Sequence, residues 1–324
     1  MINSYMPEGL IMGSSLNREL CSSRQGLERA MSQGIILESV ATLCDSQMNL
    51  HVELHDAIGI IPKEEVMYCR DGEKVKDIAV ITRVGKPVSF KVVDLYEKNG
   101  RLHAVLSRRL AQIECMRSYI NDLIPGDIID ARVTHIENFG AFVDIGCGII
   151  SLLSVDCISV SRISSPSDRL FPGMNIKVIV KSIDACSGRI FVSMRELLGT
   201  WEENAAMFCP GETVAGIIRS VEDYGVFVEL TPNLAGLAEL REDMTNPDAQ
   251  NASGNIYAGK VCAVYIKSII PDRMKIKLVL IDSYQGEAGH SKLKYFIDTD
   301  TVLHMDRWRY SPKNCNKLIE TVFN

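Results

Sequence analysis

The chain has 324 residues, of which 46% are hydrophobic and 6% aromatic, and its formal net charge is −6 at pH 7. This length suffices for two or three domains with ordinary cores, and no apolar run approaches the roughly 20 residues that a membrane-crossing helix requires. The acidic balance disfavours tight, nonspecific binding driven by phosphate contacts alone, although a local stripe of an acidic protein can still be basic.

The start of the chain and its cysteines indicate the compartment. Residues 1–20 lack a basic start followed by an apolar stretch, so no secretory signal is predicted. The ten cysteines form no Cys-x-x-Cys pair, which excludes zinc-ribbon spacing. We therefore expect reduced cysteines, a cytoplasmic location, no cofactor and no membrane partner. Cys147, Cys186 and Cys262 lie within or beside strand patterns and are predicted to be small packing residues.

The N-terminal segment, residues 1–33, predicts one helix over residues 17–31. Ser15 or Asn17 would cap it, and Leu20, Leu27 and Met31 would be buried.

A faint copy of a strand-rich unit follows at residues 34–110. Between Gln47 and Leu54 the apolar residues alternate with polar ones, which predicts a strand with His51 and Glu53 facing outward. Asn49 stands at a position where positive φ is expected. Residues 86–92 and 100–107 would form later strands of the same unit.

Short helices are predicted between the units. The first runs from Arg108 to Asp122, with residues 111–121 as the linker and with Ile113, Met116 and Ile120 on one face. The second falls within residues 196–208, with 199–207 as the linker. Such helices would close the barrel ends and fix the angle between neighbours.

Two stretches of the chain repeat one another: Glu137-Asn-Phe-Gly-Ala-Phe-Val-Asp-Ile145 and Glu222-Asp-Tyr-Gly-Val-Phe-Val-Glu-Leu230. Self-similarity at domain spacing indicates a reused module. Alternation along a strand places Phe142 and Phe227 on the face opposite the apolar residues, together with Asp144 and Glu229. A ring that shares a face with a carboxylate is predicted to be exposed rather than in the core.

The glycine between the two aromatics of each stretch is predicted to form a bulge. The bulge would bring Phe139 beside Phe142, and Tyr224 beside Phe227. Paired, exposed rings are suited to stacking on the bases of single-stranded nucleic acid. The alternative is that the rings only fill a barrel.

The later parts of the two copies also correspond, as in Val180-Lys-Ser-Ile183 and Ile266-Lys-Ser-Ile269. Many short strands with glycine-rich turns predict small closed barrels. The fold class is therefore expected to be all-β, with three tandem five-stranded barrels joined by short α-helices. The second and third barrels would occupy residues 122–198 and 208–282.

The last stretch, residues 283–324, is not another full copy. It carries Arg307-Trp-Arg-Tyr310 with Lys313 and Lys317. Interleaved basic and aromatic residues can bind RNA, but the two aromatics are better explained by docking of this tail onto the third barrel.

The order Phe-Gly-Ala-Phe-Val-Asp-Ile, Gly148, Gly173, Ile183-Asp184, Gly188-Arg189-Ile190 and Ser193-Met194-Arg195 resembles the S-one RNA-binding domain. This is the OB-fold repeat of the bacterial ribosomal protein S-one. The resemblance spans nearly all of residues 122–198, extends with fewer identities over 208–282, and is faint over 34–110. It implies an OB-fold for each barrel and RNA binding on the outer face of the second and third strands. The implied RNA-binding residues are Phe139, Phe142, Asp184, Arg189, Arg195, Tyr224, Phe227, Lys267 and Lys275.

The chain departs from the family pattern at several positions. The family's histidine after the third strand is replaced by Pro62, Ser154 and Glu239, and Ser151 replaces a glycine that Gly59 and Gly236 keep. In the first repeat Met48 and His51 stand where the ring pair stands, so RNA binding by that barrel is not expected.

The favoured function is a single-stranded RNA (mRNA) binding protein of translation that acts as a monomer, with the small ribosomal subunit as a further partner. The alternative is a protein-docking or scaffold module in a ribosome or RNA-degradation complex. Enzyme activity is not expected, because neither a phosphate-binding Gly-Lys-Ser/Thr loop nor a Gly-x-Ser-x-Gly elbow is present. His51, Glu53 and His55 share a strand, but exposed polar residues explain them better than a metal site does.

Overall fold

The computed structural model describes residues 5–69, 73–184, 186–239, 256–287 and 293–323, with the side chains of 282–287 outside that description. Within these ranges the strands form three closed five-stranded barrels and one two-stranded sheet. The predicted all-β fold class with tandem barrels is confirmed. Parts of the predicted N-terminal segment, third barrel and tail lie outside the described residues, namely 1–4, 240–255, 288–292 and 324.

The three barrels have the same strand order. Counted from its own first strand, each runs 1-2-3-5-4, and the third and fifth strands are parallel. The strands of the first barrel are β1 (Leu37–Cys44), β2 (Leu50–Glu53), β3 (Ala57–Ile61), β4 (Pro87–Lys98) and β5 (Arg101–Ser107). Those of the second are β6 (Ile128–Glu137), β7 (Gly140–Asp144), β8 (Ile150–Ser154), β9 (Asn175–Ile183) and β10 (Ile190–Ser193). Those of the third are β11 (Thr213–Glu222), β12 (Gly225–Thr231), β13 (Leu234–Glu239), β14 (Lys260–Ile270) and β15 (Lys275–Glu287).

The chain divides into two compact units. One contains residues 1–123, 130–132 and 144–150, and the other contains 124–129, 133–143 and 151–324. The first barrel therefore lies in the first unit, and the third barrel and the tail lie in the second. Two short stretches of the second barrel group with the first unit. The exact domain boundaries proposed from the sequence stay predictions.

The N-terminal segment contains two helices, not one. They are α1 (Ser15–Cys21), capped by Ser14, and α2 (Arg24–Gln33), capped by Ser23. Serine hydroxyls satisfy the free N–H groups of a helix start, so the serines between the helices begin a second helix. Leu20 and Leu27 are buried as predicted, but Met31 is 38% exposed.

The helix after the first barrel is shorter than predicted and buries a different face, although Ile120, just beyond its end, is buried. α3 (Asp77–Ile81) lies within the first barrel, and α4 (Arg108–Ser118) follows it. The buried residues of α4 are Arg108, Ala111, Gln112 and Cys115, whereas Ile113 and Met116 are only partly buried. The burial of Arg108 is compensated by Glu8 of the N-terminal segment. The Nε and Nη2 groups of Arg108 donate to the two carboxylate oxygens of Glu8, at 2.6 and 3.0 Å.

The second connecting helix is shorter than predicted. α5 (Trp201–Ala205) is capped by Thr200 and follows a 3-10 turn at Arg195–Leu198. Gly199 separates the two with a φ of +85°, which interrupts a continuous helix over residues 196–208.

The predicted docking of the tail is confirmed. β16 (Arg307–Arg309) and β17 (Glu320–Val322) form the two-stranded sheet. Trp308 and Tyr310 are 4% and 5% exposed and pack into the hydrophobic cluster of the third barrel. The Tyr310 hydroxyl donates to the Asn233 carbonyl at 2.5 Å.

All ten cysteines are free. Cys147 and Cys262 are buried, as predicted for packing residues, and Cys186 is exposed, which corrects its assignment. Cys186 lies in the turn between β9 and β10, where its N–H donates to Asp184.

Candidate nucleic-acid interface

The first candidate surface lies at the hairpin between β6 and β7. Residues 138–139 form the turn, so Phe139 stands at its tip with 56% of its surface exposed. Phe142 is half-buried on β7. The two ring centroids are 6.0 Å apart with the planes at 89°. This edge-to-face contact holds Phe142 beside Phe139 and leaves the Phe139 ring accessible.

The third barrel repeats this arrangement at the hairpin between β11 and β12. Glu222 pairs with Gly225, so Asp223 and Tyr224 form the turn. Tyr224 is 65% exposed, and its ring lies 6.2 Å from that of Phe227 at 90°. The predicted pairing of the rings is therefore confirmed in both barrels.

The cause of the pairing differs from the one expected. The register shift in β11 lies between Ile218 and Ser220, away from the glycine. Gly225 does have a φ of +150°, which favours glycine as expected, and a Cβ at either Gly140 or Gly225 would lie 2.6 Å from a carbonyl oxygen of the next strand. In the third barrel a tight turn, rather than a bulge at the glycine, therefore brings the two rings together.

The carboxylates that share the strand face with the rings are not solvent-exposed, which corrects the sequence argument. Asp144 is 1% exposed and accepts N–H groups of Glu8, Gly146 and Gly148 at 2.7, 2.8 and 3.0 Å. Burial raises the pKa of Asp144 to about 7. These three donors anchor the start of the chain and the β7–β8 loop to the carboxylate.

Glu229, at the equivalent position of the third barrel, is 3% exposed. Both of its oxygens accept from Arg169, at 2.8 and 2.5 Å, and Arg219 donates to the same carboxylate at 2.7 Å. Arg169 belongs to the connection between β8 and β9. The buried ion pairs therefore tie this connection to the third barrel.

Asp184 and Arg189 lie in the turn between β9 and β10, and both are exposed. The Asp184 carboxylate accepts from the Ser187 hydroxyl and the Cys186 N–H, at 2.5 and 3.0 Å. These hydrogen bonds, that of Ser187 foremost, lower the pKa of Asp184. Asp184 therefore shapes the turn that presents Arg189.

Arg195 lies after β10 and is engaged within the protein. Its guanidinium contacts Glu196 at 3.1 Å, the Asp156 carbonyl at 3.3 Å and the Thr321 hydroxyl at 3.3 Å. These contacts give Arg195 a tail-anchoring function in addition to the predicted one.

Lys267 and Lys275 of the third barrel are both exposed. Lys267 lies 3.8 Å from Glu239, and both side chains of this pair are more than half exposed. Such an exposed pair contributes about 0–1 kcal/mol, so Lys267 is accessible to other anions.

The first barrel lacks the ring pair. Its β1–β2 loop spans residues 45–49, and Asp45 organises it by accepting the N–H groups of Gln47 and Asn49, both at 2.9 Å. Positive φ occurs at Met48, at 64°, and not at Asn49 as expected. His51 contacts Asp45 at 3.2 Å.

Three residues of the two surfaces were missed by sequence reasoning. The His135 ring stacks on Phe142 at 6.4 Å and 18°, and its Nε2 lies 2.8 Å from Glu137. Phe191 and Lys277 lie at corresponding positions of β10 and β15, paired with Leu152 and Leu237. The signal was present for Phe191 and Lys277, since each stands between two inward apolar residues of an alternating strand. His135 has no such signal, because Thr134 and Ile136 on either side of it are both only partly buried.

Packing explains why the family's glycine is replaced by Ser151 in the second barrel but kept in the other two. Ser151 is buried and its hydroxyl donates to the Ile190 carbonyl at 2.6 Å, so the side chain fits in the second barrel. A Cβ at Gly236 would lie 2.6 Å from Leu278 and at Gly59 2.9 Å from Leu106. The glycine is therefore kept where the barrel interior leaves no room.

Neither a membrane-crossing helix nor a group of three potential metal ligands occurs in the part of the chain that the structure describes.

Residues 122–195 match the model of the S1 RNA binding domain. The second barrel therefore matches the S1 domain family. The matched range includes Phe139, Phe142, Asp184, Arg189 and Arg195. The predicted resemblance of the chain to the bacterial ribosomal S1 proteins is confirmed.

The curated relatives extend this similarity beyond the S1 domain. Small ribosomal subunit protein bS1 of Leuconostoc lactis is 29% identical over 60% of this chain and 45% of its own length. A bS1 homolog of Bacillus cereus is 28% identical over 70% of this chain and 58% of its own length. The chain spans about half the length of the curated relatives it matches. A solved multidomain protein with nucleic acid binding domains from Streptococcus pneumoniae is 14% identical, with a TM-score of 0.24 over 76% of this chain and 73% of that one.

Proposed function

We propose that the chain binds single-stranded RNA on the ring surfaces of its second and third barrels, and that it acts on mRNA in translation with the small ribosomal subunit. The observation that carries the proposal is the repeated ring pair. Two hairpins far apart in sequence hold an exposed ring edge-on against a half-buried one with nearly identical geometry. The S1 domain model and the bS1 relatives support RNA as the ligand.

Stacking supplies the affinity in this proposal. Each stacked base contributes about 1–3 kcal/mol, whatever its identity, so a single barrel binds weakly and with slight sequence preference. Two barrels in one chain raise the effective local concentration of the second site to about millimolar, and the tandem binds far more tightly than either alone. An acidic chain with net charge −6 can bind RNA in this way because the rings need no counter-charge.

The proposal has further parts, which the similarity to the bS1 proteins supports only in part. We infer a cytoplasmic, monomeric and non-enzymatic protein with S1-like units at residues 34–110, 122–198 and 208–282. The ligand-contacting residues are Phe139, Phe142, Asp184, Arg189, Arg195, Tyr224, Phe227, Lys267 and Lys275.

The test removes the four ring faces while keeping the fold. In the full chain, Phe139→Ala and Tyr224→Ala truncate the exposed tips, while Phe142→Leu and Phe227→Leu keep apolar bulk at the half-buried positions. Four lost stacking contacts should lower the affinity for a pyrimidine-rich RNA oligomer at least about a thousandfold, since each contributes about 1 kcal/mol or more. Fluorescence anisotropy measures the affinity, and the melting temperature should change little.

The matched control is Tyr96→Ala, which removes a ring that is 40% exposed on the first barrel. This variant should bind RNA like the unmodified chain. Equal affinity of the folded four-ring variant and the Tyr96→Ala variant would refute the proposed function.

A second function, protein docking, is favoured for the first barrel. It lacks the ring pair, and Leu43 and Val93 on its strands are 48% and 47% exposed. A pull-down with the full chain tests this reading. Partners that survive nuclease treatment and are lost in the Leu43→Glu variant would support docking, whereas loss of all partners after nuclease would exclude it.

A further inference from the structure

A row of outward-facing residues crosses the third barrel from strand to strand. Phe227 pairs with Leu237, and Leu237 pairs with Lys277. Ile276 and Leu278, on either side of Lys277, are 2% and 0% exposed. The Lys277 side chain therefore points outward on the same face as Phe227.

The second barrel carries a ring at the corresponding position. Phe191 pairs with Leu152 and lies between Ile190 and Val192, which are 7% and 1% exposed. Phe191 is half-buried on the outer face. A strand that presents a lysine in one barrel thus presents an aromatic ring in the other.

A cation lies two residues before this position in both barrels, so the difference in charge on this strand comes from Phe191 and Lys277 themselves. Lys275 is two residues from Lys277 on the same strand, so both exposed ammonium groups are on the same face. Lys267, a further lysine of the third barrel, lies 3.8 Å from Glu239. In the second barrel Arg189 and Phe191 occupy the corresponding positions, and His135 stacks on Phe142.

We propose that the two barrels hold RNA in different ways, with Phe191 stacking on a base in the second barrel and Lys277 contacting a phosphate in the third. This proposal rests on the proposed function. Neighbouring strands lie about 4.8 Å apart, so the residue two strands from Phe142 or Phe227 lies about 10 Å across the sheet from that ring. A strand of RNA that stacks on the ring pair and continues across the barrel meets Phe191 or Lys277 next.

The two contacts differ in their response to salt. Each phosphate neutralised on a single strand adds about 0.7 to the slope of log affinity against log salt. A stacked base adds affinity with little salt dependence. Loss of the Lys277 contact should therefore lower the salt slope of RNA binding. Loss of the Phe191 contact should lower the affinity and leave the slope unchanged.

The first pair of variants tests Lys277. In the full chain, Lys277→Gln should reduce the slope by about 0.7 and weaken binding of uridine and cytidine oligomers equally. Lys98→Gln is the control, because it removes one positive charge from an exposed position of the first barrel. An unchanged slope in Lys277→Gln, or an equal change in Lys98→Gln, would overturn the phosphate assignment.

The second pair tests Phe191. Phe191→Leu keeps apolar bulk but removes the π face, and it should weaken binding at least about fivefold with the slope unchanged, the lower bound for one stacked base. Phe191→Lys should instead raise the slope by about 0.7. Full affinity in Phe191→Leu would overturn the stacking assignment, provided that Phe139→Ala still weakens binding. If Phe139→Ala and Tyr224→Ala also bind normally, the proposed function fails and not this inference alone.

Discussion

The hairpin between the first two strands differs between the first barrel and the other two. In the second and third barrels the turns are residues 138–139 and 223–224, and each turn places a ring against the ring of the following strand. In the first barrel the loop spans residues 45–49 and closes around the Asp45 carboxylate. The length of the turn therefore decides, together with the residue type, whether a ring pair can form.

The first barrel also differs from the other two at the acidic residue that lies two positions after His51, Phe142 or Phe227 on the second strand. Glu53 of the first barrel is exposed, whereas Asp144 and Glu229 are buried. Asp144 is satisfied by backbone N–H groups and Glu229 by two arginines. One repeated position thus serves as a surface residue in one barrel and as a structural anchor in two others.

The largest expected effect is on the Glu229 anchor. Glu229→Gln removes the carboxylate that pairs with the buried guanidinium of Arg169 and one of the two carboxylates that pair with Arg219, which also lies 3.5 Å from Asp168. Breaking a buried ion pair typically costs about 3–5 kcal/mol. Urea denaturation of the full chain should show this loss as a lower midpoint. Glu53→Gln, at the equivalent exposed position, should stay within about 0.5 kcal/mol. Similar small effects in both variants would show that the Arg169 and Arg219 contacts contribute no net stability.

A pH dependence is expected from the anchor around Asp144. Burial raises the pKa of Asp144 and of Glu38 to about 7, so both bind a proton in the folded chain at a pH where the unfolded chain has lost it. Stability should therefore fall as pH rises from about 4.5 to about 7, by at most about 1.4 kcal/mol per pH unit for each group. Arg108 acts against burial to hold the pKa of Glu8 below its usual value, so Glu8 contributes to loss of stability only below this window.

Urea denaturation at several pH values, followed by circular dichroism of the full chain, measures this dependence. Glu38→Gln should weaken the slope between about pH 5 and 7, because one of the two titrating groups is gone. A stability that stays constant or rises across this window would contradict the assignment.

The local pattern of the sequence was sufficient for the barrels and the ring pairs. Alternation along β7 and β12 correctly separated inward valines from the outward Phe142 and Phe227. The tail docking was also predictable, because Trp308 and Tyr310 are large aromatics beside a barrel of ordinary size. These features depend on residues close together in sequence or on hydrophobic burial.

The buried carboxylates could not be predicted in the same way. The partners of Asp144 and Glu229 include Glu8 and Arg169, which are distant in sequence, so alternation alone assigned both acids to solvent. The same applies to α4, where the buried Arg108 donates to Glu8 and to the carbonyls of Val66 and Gly148, all distant in sequence. Long-range hydrogen bonds and ion pairs override the local pattern wherever a polar residue finds a buried partner.

The smallest expected effect comes from grafting a ring onto the first barrel. His51→Phe places a phenylalanine at the position equivalent to Phe142 and Phe227, but the loop of residues 45–49 offers no tip ring beside it. The affinity of the full chain for an RNA oligomer should therefore stay within about twofold, well below what one stacked base contributes. The reciprocal Phe142→His should weaken binding, because it breaks an existing pair. A gain of tenfold or more in His51→Phe would show that the strand ring alone makes a barrel bind RNA and that turn length is irrelevant.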